Sequence, residues 1–124
     1  LPPAPPAGLS DRVDVRLGDL FEPLKPWESF DIIAFNPPYL PLEPRGRMDM
    51  AWAAGNGLRI LKRFLAEVAE HMHKGGLLEM AFSTISNLGW LMRGLREAGF
   101  NPRIERVKNF LFERIVLIKA ELRG

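Results

Sequence analysis

The chain has 124 residues, 47% hydrophobic and 26% charged, which suits a globular protein with one modest core and too little length for two comfortable domains. Its 17 basic and 15 acidic residues leave a net charge of +2, so charge supplies no polybasic surface for nucleic acid. The absence of cysteine excludes disulfides, thiol nucleophiles and thiolate metal sites. No apolar run approaches the roughly 18 residues of a membrane span and no signal-peptide pattern opens the chain, so a cytoplasmic protein without a membrane partner is the expectation.

Residues 1–10 contain "LPPAPPAG" and read as a Pro-rich linker, leaving 11–124 as the folded unit. Arg12 to Leu17 alternates apolar and polar residues, the pattern of a half-buried strand. A loop broken by Pro23 and Pro26 follows. Phe30 to Phe35, "FDIIAF", is a nearly continuous apolar run and predicts a strand buried on both faces. A Pro- and Arg-containing loop occupies Leu40 to Met50.

From about Gly57 to Lys74 the spacing predicts a helix with the stripe Leu58, Leu61, Leu65, Val68 and Met72, stopped by Gly75-Gly76. Leu77 to Phe82 is the next strand. Ser86 or Asn87 caps a second helix whose stripe is Leu88, Leu91, Met92, Leu95 and Ala98, ending at Gly99. Arg103 to Asn109 and Phe112 to Ala120 are two last strands, close enough to pair antiparallel. The order predicts an α/β domain, a mostly parallel sheet ending in an antiparallel hairpin.

In such sheets ligands sit beyond the carboxyl ends of the strands, where Asn36-Pro37-Pro38-Tyr39 lies. The two prolines fix φ and remove backbone donors, leaving carbonyl acceptors beside the amide oxygen of Asn36. Tyr39 adds a flat ring face. The set suits a planar group carrying an NH2, an amide or an aromatic amine. Acceptors on its N–H bonds would orient the nitrogen and stabilise the positive charge that develops as it attacks a methyl group, with no strong base required. The same residues also read as a proline-rich turn closing a strand, and the residue pattern alone leaves both readings open.

The motif and its flanks, "GDLFEPL", "NPPYLPLEP", "MDMAWAAGNGLRILKRFL" and "NFLFERIVLIKA", resemble the HemK family of S-adenosylmethionine-dependent protein-glutamine N5-methyltransferases, from about Val13 onward. The archaeal/eukaryotic-type branch, which methylates the glutamine of a peptide chain release factor, is the nearer likeness. The resemblance implies a class I (Rossmann-like) methyltransferase fold. It also implies that Asp19 accepts from the cofactor adenine and Leu20 contacts it. Asn36 would touch cofactor and target amide, Pro37 would share the grip on the NH2, Pro38 would hold the turn and Tyr39 would pack on the amide. A small partner subunit is a further expectation.

The family's glycine-rich cofactor loop, the N-terminal half of the fold, is not recognisable in the chain. Gly55-Asn56-Gly57 follows a loop and opens a helix, so it reads as a helix start. Weak or absent S-adenosylmethionine binding is therefore expected, and the Arg12 to Leu17 strand would lack its sheet neighbour. Two rivals stand beside the glutamine reading: N6-adenine methylation of DNA or RNA, and a non-catalytic remnant serving as a binding module. His71 and His73 read as an exposed helix end without metal. Trp27, Trp52 and Trp90 read as packing residues, Trp52 being placed to shape the pocket. Arg45 and Arg47 read as solvated loop residues.

Overall fold

The computed structural model describes residues 11–37, 56–83, 87–112 and 114–124. Its elements are β1 (Phe30–Phe35), α1 (Asn56–Glu67) continued by a 3-10 turn (Val68–His71), β2 (Met72–Ser83), α2 (Leu88–Glu97), β3 (Phe100–Asn109) and β4 (Arg114–Leu122). They form one sheet in the order β1-β2-β4-β3. β1 pairs parallel with β2, while β4 pairs antiparallel with both β2 and β3. Three strands thus run one way and β4 alone is reversed, inserted between β2 and β3. The expected closing hairpin is present, and among the described strands one pairing is parallel and two are antiparallel, a mixed sheet.

The core joins the helices to the sheet. Leu61, Phe64 and Val68 from α1 and its continuation, and Leu91 and Leu95 from α2, are buried with Leu78, Met80, Phe82, Val116, Ile118 and Ala120. Leu58, Leu65, Leu88, Met92 and Ala98 pack around them half-buried, so both stripes face the sheet. Phe64, three residues after Leu61, belongs to this face although it falls outside the expected stripe. Asn87 is the cap of α2: its side chain accepts from the backbone N–H of Trp90 at 2.9 Å.

Five sequence expectations change. Arg12 to Leu17 forms no strand; Val13, Val15 and Leu17 are 40%, 39% and 78% exposed. Alternation specifies a strand only where another strand accepts its hydrogen bonds, and among the described residues none pairs with it. β1 is not buried on both faces. Ile33 and Phe35 pack on the core, but Ile32 is 64% exposed, because both described helices lie on the other side of the sheet.

The helix ends at Glu67, with the 3-10 turn to His71, and not at Lys74. Gly75-Gly76 lies inside β2. Two steps along β1, Phe30 to Ile32, are matched by five along β2, Met72 to Leu77, so residues 73–76 bulge out of the ladder. Gly75 takes φ +79°, and a Cβ on Gly76 would stand 2.8 Å from the His73 carbonyl oxygen and 3.0 Å from that of Asp31. The glycine pair serves a bulge, and the pairing of Met72 with Phe30 overrides further helix.

His71 is the fourth correction. It is buried, stacked on Phe21 with centroids 5.0 Å apart, and its Nδ1 lies 2.8 Å from the Glu28 carbonyl oxygen. Since a carbonyl can only accept, Nδ1 carries the proton. His73 is exposed but lies on β2, 2.8 Å from Asp31. Trp90 packs beside the core as expected, whereas Trp27 is 77% exposed.

Candidate functional site

Asn36 and Pro37 follow the last residue of β1, at the carboxyl end of the parallel pair; Asn36 is exposed and Pro37 buried. A buried proline ring beside an exposed amide anchors the turn while leaving the amide open to a ligand. Pro38 and Tyr39 lie outside the described residues, as do Arg45, Arg47, Trp52, Ser86 and the linker 1–10.

Asp19 and Leu20 reach this region through aromatic packing. The Phe64 ring on α1 stacks on Phe35 at 4.1 Å, one residue before Asn36, and on Phe21 at 5.4 Å, one residue after Leu20. A single ring therefore ties both candidate segments to one turn of α1. The neighbouring Arg63 donates to Asp19 Oδ2 at 2.7 Å, and this hydrogen bond raises the Arg63 pKa above its ordinary value. Both partners are about half exposed, so the pair orients Asp19 more than it stabilises the fold.

Asp19 also opens a turn, its carbonyl accepting from the Glu22 N–H at 3.0 Å. Leu20 stands at φ 53°, the left-handed region, which costs a residue with a Cβ on the order of 1 kcal/mol. The surrounding segment is held by Arg16, which reaches Asp14 at 2.8 Å, Glu28 at 2.6 Å and the Pro23 carbonyl at 3.3 Å. Arg16, together with the Lys25 N–H at 2.7 Å, lowers the Glu28 pKa to about 2.

Two cavities adjoin these elements. One of about 480 Å³ lies between the 21–26 loop and α1, against Phe21, Arg63 and His71. The other, of about 370 Å³, lies between α1 and α2 against Trp90. Neither of these two is lined by Asp19, Leu20 or Asn36; what joins the two segments among the described residues is the Phe64 ring. Phe21, Arg63 and Phe64 escaped the sequence reading. Phe64 was signalled only by its three-residue step from Leu61, and nothing local marks Arg63 as the partner of a residue 44 positions earlier.

The adenine of S-adenosylmethionine needs an accessible acceptor beside apolar surface. Asp19 offers one: it is exposed, its Oδ2 is engaged by Arg63, and Leu20 beside it is half-buried. Among the described residues no glycine-rich turn follows a strand.

A mixed sheet with one reversed strand between two co-directional ones, helices on a face and a polar turn beyond β1 defines a class I methyltransferase-like α/β fold. The Mtq2–Trm112 complex of E. cuniculi, responsible for methylation of the translation termination factor eRF1, superposes with TM-score 0.65 at 28% identity over 91% of this chain and 64% of that one. A Methanocaldococcus jannaschii protein provisionally named a protein N5-glutamine methyltransferase is 33% identical over 107 residues, 82% of this chain and 53% of the relative. The release factor glutamine methyltransferase of Rhodopirellula baltica is 33% identical over 60% of this chain and 29% of its own length. The ribosomal protein uL3 glutamine methyltransferase of Bordetella pertussis is 38% identical over 57% and 26%. No protein-family profile matches the chain. These relatives bear out the resemblance to the HemK family of protein-glutamine methyltransferases. The chain spans about half the length of the first of these relatives, and less of the other two.

Proposed function

We propose that this domain belongs to an S-adenosylmethionine-dependent methyltransferase that modifies the side-chain nitrogen of a glutamine in a translation release factor. The observation that carries the reading is Asn36-Pro37 at the carboxyl end of β1, exposed amide beside buried proline, in a fold shared with glutamine methyltransferases. Residues 11–124 are taken as part of the methyltransferase domain, with 1–10 as a linker.

The chemistry follows from the acceptors. An amide nitrogen is a poor nucleophile because its lone pair is delocalised toward its carbonyl. The Asn36 side-chain oxygen and the Pro37 carbonyl would each accept one N–H of the substrate amide, fixing the nitrogen and favouring the charge it acquires on attack. Pro38 would stiffen the turn, and Tyr39 would lie flat on the amide. Asp19 would accept from the adenine amino group, with Leu20 against the ring. When bound, S-adenosylmethionine supplies the electrophilic methyl. A small partner subunit of the Trm112 kind is part of the proposal, supported by the structural neighbour being a two-protein complex.

The test, made on the intact protein that carries this domain, is transfer of labelled methyl from S-adenosylmethionine to release factor, uL3, DNA and RNA, with and without such a partner. Labelling of a release-factor glutamine, lost in Asn36→Ala while cofactor affinity changes less than about threefold, is the expected result. Labelling of adenine alone would replace this reading with the nucleic-acid one.

A further inference from the structure

The turn joining β3 to β4 places three apolar residues in a row in solvent: Phe110, Leu111 and Phe112 are 51%, 87% and 74% exposed. Turns of this kind ordinarily carry glycine, asparagine, aspartate or proline. Three consecutive exposed apolar residues work against solubility unless something covers them in use. Lys108 extends its ammonium over the Phe110 ring at 5.6 Å, which adds a cation without hiding the rings.

The register gives the position of this tip. Phe35 is level with Met80, Met80 with Ile118, and Ile118 with Ile104. β1 and β3 run the same way, so the tip stands at the same carboxyl end of the sheet as Asn36. Three strand spacings separate β1 from β3, roughly 14 Å across. From Ile118 to Arg114 the hairpin continues four residues beyond the level of Phe35, roughly 13 Å further out. The tip therefore overlooks the Asn36 turn from a distance on the order of 15–20 Å.

We infer that Phe110, Leu111 and Phe112 are a docking element for the protein that presents its glutamine to Asn36, receiving an apolar side chain of that protein well away from the acceptor residue. The inference rests on the methyl-transfer reading and adds to it a determinant of substrate size. A partner subunit or a second copy can dock on any surface, but a protein substrate must approach this one edge, and the tip projects beyond it. Phenylalanine is among the aromatic residues enriched at protein interfaces, so Phe110 and Phe112 are the anchors of this tip and Leu111 adds apolar area between them.

The experiment compares an intact release factor with a short peptide carrying two residues on each side of the glutamine. Such a peptide extends only about 7 Å to either side and cannot reach the tip. The wild-type protein and the Leu111→Asp/Phe112→Asp variant are assayed on both, with Leu111→Ala as a milder variant and thermal unfolding as the check on folding. The expected result is a rise of tenfold or more in KM for the release factor, with kcat and the peptide kinetics unchanged. A KM for the release factor within twofold of wild type would overturn the docking role and leave the methyl-transfer reading standing. Equal losses on protein and peptide would also overturn it. A wild-type dimer that the variant converts to monomer in sedimentation would assign the tip to a second copy instead. If the intact wild-type protein, with S-adenosylmethionine bound, labels neither substrate, the methyl-transfer reading itself fails and this inference falls with it.

Discussion

Phe64→Leu tests the claim that one ring carries both candidate segments. The substitution keeps a large apolar side chain at a site only 2% exposed, so the main loss is two stacked contacts, with Phe35 at 4.1 Å and Phe21 at 5.4 Å. At about 0.5–1.5 kcal/mol for each aromatic pair, the cost is about 1–3 kcal/mol. For a chain of 124 residues each kcal/mol lowers Tm by roughly 3–5 °C, so a fall of roughly 3–15 °C is expected in calorimetry. The position of the loss matters more than its size. Amide hydrogen exchange should show Glu22 and Leu24, whose N–H groups donate to Asp19 and Phe21 at 3.0 Å, losing protection ahead of β4. Phe100→Leu is the control, since Phe100 is fully buried and belongs to β3, away from the 19–24 turn. If both variants open the 19–24 turn equally, Phe64 is ordinary core and the shared scaffold is refuted.

Arg63→Met removes the partner of the Asp19 carboxylate; because the pair is exposed, the urea midpoint should stay close to that of the wild type. Glu28 sits below its ordinary value of 4.5, at about 2, so its ion pair with Arg16 stabilises the fold above about pH 4.5 and fades as pH falls toward 2. The stability gap between wild type and Arg16→Met should accordingly close over that window in acid titrations followed by circular dichroism, and a gap that persists at pH 2 would refute the pairing. Gly76→Ala should cost about 1–3 kcal/mol by chemical denaturation, because the added methyl meets carbonyl oxygens that the β1–β2 ladder holds in place. Asn87→Ala, which removes the cap of α2, should cost about 1 kcal/mol in the same assay.

Much of this protein was legible from its residues because the signals are local. Apolar spacing at three and four marked α1 and α2, glycine and asparagine marked the start and stop of α2, and the short separation of the last two strands marked the hairpin. The Asn36-Pro37-Pro38-Tyr39 motif, with its flanks, pointed to glutamine methylation before any geometry was known. What the tertiary structure decided depends on partners distant in the chain. Arg12 to Leu17 has the alternation of a strand and no ladder to join. Gly75-Gly76 has the look of a helix stop but serves a bulge, since Met72 pairs with Phe30 and the ladder resumes only at Leu77. His71, read as an exposed helix end, is buried because Phe21 and the Glu28 carbonyl come to it from more than 40 positions earlier. Local pattern fixes what a segment can be; which of those possibilities is realised depends on the hydrogen bonds and apolar contacts that the rest of the chain supplies.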